Sequence, residues 1–139
     1  MELDQMTDEQ LSAVAARLWL PFKPGDYDHK WESAGGNARC VRCSAFQQFR
    51  QDQEPELFGP RRCPNPPLFA SLLSEAMDLA NLVAAQTLDF SIETFKLANI
   101  WQAHASFGDN ELTASACESD LHHAIARATT KAAIRIKER

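Results

Sequence analysis

Between Pro21 and Pro67 the chain has no apolar periodicity, helical or extended, over a stretch far longer than the roughly 4–6 residues usual for connections in compact domains. Proline, glycine, arginine and glutamine crowd it, so something other than a hydrophobic core must order it. Three of the four cysteines fall inside it. Arg39-Cys40-Val41-Arg42-Cys43 contains a CxxC, the spacing with which two thiolates on one turn grip a single tetrahedral ion. His29 upstream and Cys63 downstream complete the pattern His-x10-Cys-x2-Cys-x19-Cys. The spacing predicts a metal site made of His29, Cys40, Cys43 and Cys63, with zinc as its ion. Two other readings stay open. A redox dithiol would want its CxxC at a strand-to-helix junction, whereas this one sits in proline- and glycine-rich loop, and unrelated cysteines need no pattern at all. With zinc bound, four protein ligands leave no position for water or substrate, so the site would be structural. Metal binding of about 10–16 kcal/mol, as in zinc-finger peptides, is enough to order residues 21–66 unaided.

The flanking segments do carry periods. Thr7, with Gln10 three residues on and Asp8 and Glu9 between, predicts a capped helix running to about Trp19 and stopped by Pro21. Its stripe is Leu11, Val14, Ala15, Leu18 and Trp19. A second helix is expected after Pro66 and Pro67, with Leu72, Ala76, Leu79 and Val83 on one face, ending near Gln86. Residues 90–94, 101–107 and 112–116 alternate with period two and predict three half-buried strands, the last two joined through Gly108-Asp109-Asn110. Keeping apolar residues on one face sets the register: Phe107 opposite Leu112, Ala105 opposite Ala114, Ala103 opposite Ala116. Ser119 is the expected cap of a last helix with stripe Leu121, Ile125, Ala128 and Ala132. The fold class expected is α+β. Helices over residues 1–20 and 67–139 pack on a three-stranded antiparallel sheet, and 21–66 form a small zinc-binding insertion. The predicted core is Leu11, Leu18, Leu72, Leu79, Val83, Ile92, Trp101, Phe107, Leu112, Leu121 and Ile125.

The longest apolar stretches, 79–85 and 13–20, are much shorter than the roughly 20 residues of a membrane span. Glu2, Asp4, Asp8 and Glu9 stand where a signal peptide would be basic and then apolar, so a cytoplasmic chain is expected, with thiols or metal ligands rather than disulfides. Residues 1–126 hold 9 Lys and Arg against 18 Asp and Glu, and residues 127–139 hold 5 against 1. That balance opposes a large nucleic-acid footprint outside the last helix. Arg39, Arg42, Arg61 and Arg62 flank the ligands; they read first as solvated surface, since Asp52, Glu54 and Glu56 lie between them. In the predicted register Cys117 lies diagonal to His104, a geometry open to a Cys–His pair. His122 and His123 point about 100° apart on a helix and cannot chelate one ion together. No glycine-rich phosphate loop, HExxH or GxSxG is present.

The run from Pro67 to Ala133, with Trp101-Gln102-Ala103 and Asp120-Leu121-His122-His123-Ala124-Ile125-Ala126-Arg127-Ala128, resembles the small phage-encoded ABA-sandwich domains. His29-Lys30-Trp31 through Arg39-Cys40-Val41-Arg42-Cys43 to Cys63 is similar to short zinc-ribbon-like units of phage proteins. The resemblance implies a phage or prophage accessory protein, a group that includes inhibitors of host defence such as anti-CRISPR proteins, and it carries no catalytic residues to transfer. The expected function is therefore non-enzymatic: binding and inhibition of a host protein, for example a defence or nucleic-acid-handling complex whose basic groove an acidic surface can occupy. The alternatives are a zinc-stabilised nucleic-acid-binding regulator using the arginines around the cysteines with the basic last helix, and an enzyme using His104 and Cys117. The partner's identity and the oligomeric state are not legible in the sequence.

Overall fold

The computed structural model describes residues 2–86, 89–108 and 113–137. The protein is α+β; among the described residues it has three α-helices and two antiparallel sheets, of four and three strands. It divides into two compact units, Met1–Leu20 with Leu68–Arg139, and Pro21–Pro67.

In the first unit, α1 (Asp8–Trp19) starts at a complete capping box: Thr7 Oγ1 accepts from Gln10 N–H at 3.2 Å and Gln10 Oε1 accepts from Thr7 N–H at 2.9 Å. Thr7→Ala should therefore lower stability by about 1 kcal/mol, with Thr7→Ser close to wild type, as read from urea denaturation midpoints. The second helix, α2 (Leu73–Ala84), begins later than the prolines suggest. Residues 68–72 form a turn instead, with Leu72 N–H bonding Leu68 C=O at 2.9 Å. Polar groups pin that turn: Leu68 N–H donates to the buried Glu75 carboxylate, and Ala70 N–H donates to Ser12 Oγ at 3.1 Å. Phe69 and Ala70 are buried there, while Leu72 is 39% exposed and lies outside the core it was expected to join.

The sheet of this unit is a meander of β5 (Phe90–Leu97), β6 (Ile100–Phe107) and β7 (Thr113–Glu118). Ala103 faces Ala116 and Ala105 faces Ala114, the register that apolar alternation requires. The expected pairing of Phe107 with Leu112, and Leu112 itself, lie outside the described residues. The last helix, α3 (Leu121–Lys137), is capped by Asp120 and not by Ser119, since Asp120 Oδ1 accepts from His123 N–H at 3.0 Å.

Among the described residues α3 is the helix that lies on the sheet, mainly against β6 and β7; α1 and α2 pack on α3 instead. Three helices on one sheet is thus corrected to three layers with α3 in the middle. Its composition explains this. Ala124, Ala126, Ala128, Ala132 and Ala133 are small on every side of the helix, so neighbours approach from all round, and burial runs through 128–134 without a break. Trp19 Nε1–H reaches the Ala133 carbonyl at 2.9 Å. A middle helix also takes the deepest burial from its neighbours' stripes: Leu11, Leu79, Val83 and Phe107 are fully enclosed, whereas Leu18, Ile92, Trp101, Leu121 and Ile125 are half-buried. Trp101 faces the same side as Ala103, Ala105 and Phe107, as expected, but at the end of the strand next to the hairpin turn.

The second unit is a sheet of four short strands in sequence order: β1 (Trp31–Ala34), β2 (Asn37–Cys40), β3 (Phe46–Gln48) and β4 (Glu56–Phe58). Gly35 and Gly36, at φ 61° and 86°, join β1 to β2 in a two-residue turn that needs positive φ at both positions.

Candidate metal centre

Three local structures of the second unit bring its cysteines and histidine together. Cys40 ends β2, and the following turn returns through Ser44, at φ 65°, so that Cys40 N–H bonds Ala45 C=O at 2.8 Å and Ser44 N–H bonds Cys40 C=O at 3.0 Å. That turn places Cys43 beside Cys40. An isolated antiparallel bridge, Tyr27 with Cys63, closes with bonds of 3.0 and 2.8 Å and sets Cys63 two residues from the level of His29. At Gly59, φ is 128° and an added Cβ would stand 3.0 Å from the Ala45 Cβ, so the strand leaving β4 passes this turn at a distance only glycine permits.

The ligand atoms of His29, Cys40, Cys43 and Cys63 all lie within 4.8 Å of one another and could bind a metal ion. Cys40 Sγ is 3.9 Å from Cys63 Sγ, and Cys43 Sγ is 3.4 Å from His29 Nδ1. A tetrahedral ion with metal–sulfur bonds near 2.3 Å and metal–nitrogen bonds near 2.0 Å sets these edges at about 3.8 and about 3.5 Å, so these two edges suit such an ion. His29 is the ligand whose orientation the sequence left undetermined. Its Nε2 lies 2.8 Å from the Pro60 carbonyl, which can only accept. A proton on Nε2 satisfies that carbonyl and leaves the Nδ1 lone pair toward Cys43 Sγ, the arrangement in which a metal-binding histidine hands its other ring N–H to a carbonyl. Trp31 packs on the imidazole with centroids 4.8 Å apart.

Electrostatics separate the thiols. Burial pushes Cys40 up, but hydrogen bonds from the Arg42, Lys30 and Cys43 backbone, together with the neighbouring His29 side chain, outweigh it and bring it down to about 6. Burial, opposed by a backbone hydrogen bond from Asn65 and reinforced by neighbouring Cys43 and Cys40, pushes Cys63 up to about 12. One thiolate is thus favoured without metal, and a second beside it is disfavoured by like charge, a repulsion that a divalent cation removes.

The surrounding arginines are partly engaged. Arg62 pairs with Asp26 at 3.1 Å and with Asp28, and lies over the Phe22 ring; Arg42 donates to the Asp28 carbonyl at 2.8 Å. Elsewhere, His104 Nδ1 bonds Ser115 Oγ at 2.6 Å, and the exposed Cys117 stands opposite Gln102. The structure therefore gives His104 a serine partner, not Cys117. His122 is exposed, as a solvated helix face would have it. His123 is not: it lies 2.5 Å from Asp8 and 3.5 Å from Glu118, and Arg127 joins Asp8 at 2.7 Å. Sequence reasoning missed this clamp between α1 and α3, because 115 residues separate its members. It also missed the four strands around the cysteines, for which Gly35-Gly36 between Trp31-Glu32-Ser33 and Ala38-Arg39 was a usable hairpin signal.

No family model, curated protein or solved structure matches this chain.

Proposed function

We propose that this chain is a zinc-stabilised binding protein that engages a host protein stoichiometrically and inhibits it, the accessory role in a phage or prophage that the resemblance implies. The observation that carries the binding role is an apolar cluster at the β5–β6 hairpin. Phe95, Leu97 and Ile100 share one sheet face and are 51%, 63% and 50% exposed. Adjacent large apolar side chains left in water on a rigid hairpin mark an interaction surface more often than isolated ones do. They belong to a unit with 7 Lys and Arg against 13 Asp and Glu, whereas Pro21–Pro67 holds 7 against 6. The acidic excess of the chain is therefore concentrated in the unit that carries the cluster, which suits a basic, apolar-floored groove on the partner.

Zinc is the ion that fits one imidazole and three thiolates in a closed tetrahedral shell, and its role here is structural. The alternative of a nucleic-acid-binding regulator draws less support. Arg62 is spent on Asp26 and Asp28, Arg127 on Asp8, Lys131 on Asp4, and Arg135 on the Thr113 carbonyl at 2.5 Å, so much of the basic surface it would need is already paired.

The test is a titration. The partner captured from bacterial lysate is assayed against increasing protein. Inhibition saturating near one equivalent, and weakening when Leu97→Lys and Ile100→Lys are introduced, is the expected result. Full inhibition at a small fraction of an equivalent, growing with time, would identify an enzyme and end this reading.

A further inference from the structure

The two edges of the three-stranded sheet are treated differently. At β7, α3 sends two cations over the edge: Lys131 Nζ donates to the Ser115 carbonyl and Arg135 to the Thr113 carbonyl, each at 2.5 Å. Those acceptors are thereby withdrawn from any incoming strand. At β5 nothing comparable exists among the described residues. Gly108 N–H bonds the Asp89 carbonyl at 2.7 Å, which makes that pair a hydrogen-bonded one and sets the alternation along the ladder. Residues 91, 93, 95 and 97 then bond to β6, and Phe90, Ile92, Thr94 and Lys96 turn their N–H and C=O groups to the open edge. The same alternation carried across β6 turns the Thr113 and Ser115 carbonyls outward on β7, where the two cations are found.

We propose that the open edge of β5 is a self-association surface, on which a second copy of this chain adds its own β5 to make one continuous six-stranded antiparallel sheet. Edges are normally protected by brevity, proline, bulges or charge. This one is eight residues long, has no proline, pairs with β6 without a bulge, and carries one acidic and one basic side chain, Glu93 and Lys96. Charge and overlap together select a register, since axes on Ile92 or Phe95 also avoid like charges but pair less of the strand than one on Thr94. A two-fold axis perpendicular to the sheet keeps each face continuous, so only residues of one face can oppose each other. Centring the axis on Glu93 or on Lys96 sets like charges directly opposite. Centring it on Thr94 sets Thr94 against Thr94, Ile92 against Lys96 and Glu93 against Phe95, with about six backbone hydrogen bonds across the seam. The two Phe95 rings, each half-exposed in the single chain, then lie diagonally across it, within reach of each other. A second copy is favoured over a foreign strand because the edge is its own complement in this register. The resulting dimer also stops growing: the remaining sheet edges are the two β7 strands that Lys131 and Arg135 cover. The inference shares Phe95 with the surface proposed for the host partner but does not require that partner, and salt separates the two. Self-association of an acidic unit should strengthen as salt rises, whereas an acid-to-base encounter should weaken.

Sedimentation of the full metal-loaded chain over micromolar to millimolar concentration is expected to show a species of twice 15.5 kDa that is favoured by salt. Thr94→Pro should return the single-chain mass with the far-UV spectrum unchanged, since the N–H it deletes faces the open edge and not β6. Phe95→Glu leaves the backbone alone and should weaken the dimer roughly tenfold, because it sets a second carboxylate opposite Glu93 of the other copy and symmetry introduces the change twice. A single-chain mass throughout would overturn the proposal, as would a dimer that persists in both variants while they remain folded. Should Thr94→Pro unfold the chain, Phe95→Glu decides. A monomeric wild type that loses a foreign partner on Thr94→Pro would assign the edge to that partner's strand instead.

Discussion

Replacing Cys43 by serine, or stripping the metal with a chelator, is expected to unfold residues 21–67 while the helix-and-sheet unit keeps its structure. The reason lies in what is buried. Within Pro21–Pro67 the enclosed side chains are Tyr27, Ala38, Cys40, Ala45, Cys63 and Pro67, so Tyr27 is the one large apolar group among them and two of the others are candidate metal ligands. Such a set supplies little hydrophobic stabilisation at roughly 25 cal/mol per Å² of apolar area. A bound zinc, by contrast, contributes on the order of 10–16 kcal/mol, comparable with the stability of a whole domain. The apolar core of the other unit is built from its own residues, Leu11, Leu79, Val83, Phe107 and Ile134 among them, and none of them is a ligand. Segment-resolved hydrogen exchange with and without metal checks this. Protection should vanish over β1 to β4 and persist over α3 and β6. Loss of protection throughout would show that the second unit is needed to hold the first, and a zinc content below one per chain would remove the metal from the account.

Phe107→Ala is expected to cost about 3–5 kcal/mol, the range for deleting a fully enclosed aromatic ring. Phe107 is completely buried beneath α3 at the end of β6, with the Phe90 ring 4.7 Å away, centroid to centroid. Neighbouring backbone in a three-layer arrangement cannot collapse into the space, because α3 is held from its other side by α1 and α2. Trp101→Ala should cost distinctly less despite the larger ring. Trp101 is half-buried beside the hairpin turn, with the Lys96 ammonium 5.5 Å from its ring centroid, and water already meets part of it. Urea denaturation of the two variants distinguishes the cases. Equal losses would mean that Trp101 is enclosed in solution as deeply as Phe107.

The parts of this protein that were readable before folding share a physical property: each depends on residues close in sequence or on strict alternation. The capping box of Thr7 and Gln10 spans one helical turn, the CxxC spans one loop, and the pairing of Ala103 with Ala116 follows from the two-residue repeat of a strand that must hide one face. The convergence of His29 and Cys63 on that loop was legible for a different reason. In a segment without apolar periodicity, a CxxC accompanied by a histidine and a third cysteine pointed to one ion more strongly than to a redox dithiol or to unrelated cysteines.

By itself, then, the sequence determined the capped first helix and the phase of the three strands, since helical and extended periods report which face of an element is apolar, and its cysteine spacing marked the four side chains that the fold brings together. Tertiary structure alone decided what each face meets. Alanine is small in every direction, so the sequence of α3 shows a single stripe of larger residues and conceals that the helix is enclosed on all sides. Lysine and arginine have long apolar stems and charged ends, so Lys131 and Arg135, which the sequence presents as cations at a helix C-terminus, reach across to cap the edge of β7, and only the packing of α3 on the sheet fixes that reach. Asp8 and His123 pair for the same reason: the contact forms when α1 is laid against α3, and no local period encodes it.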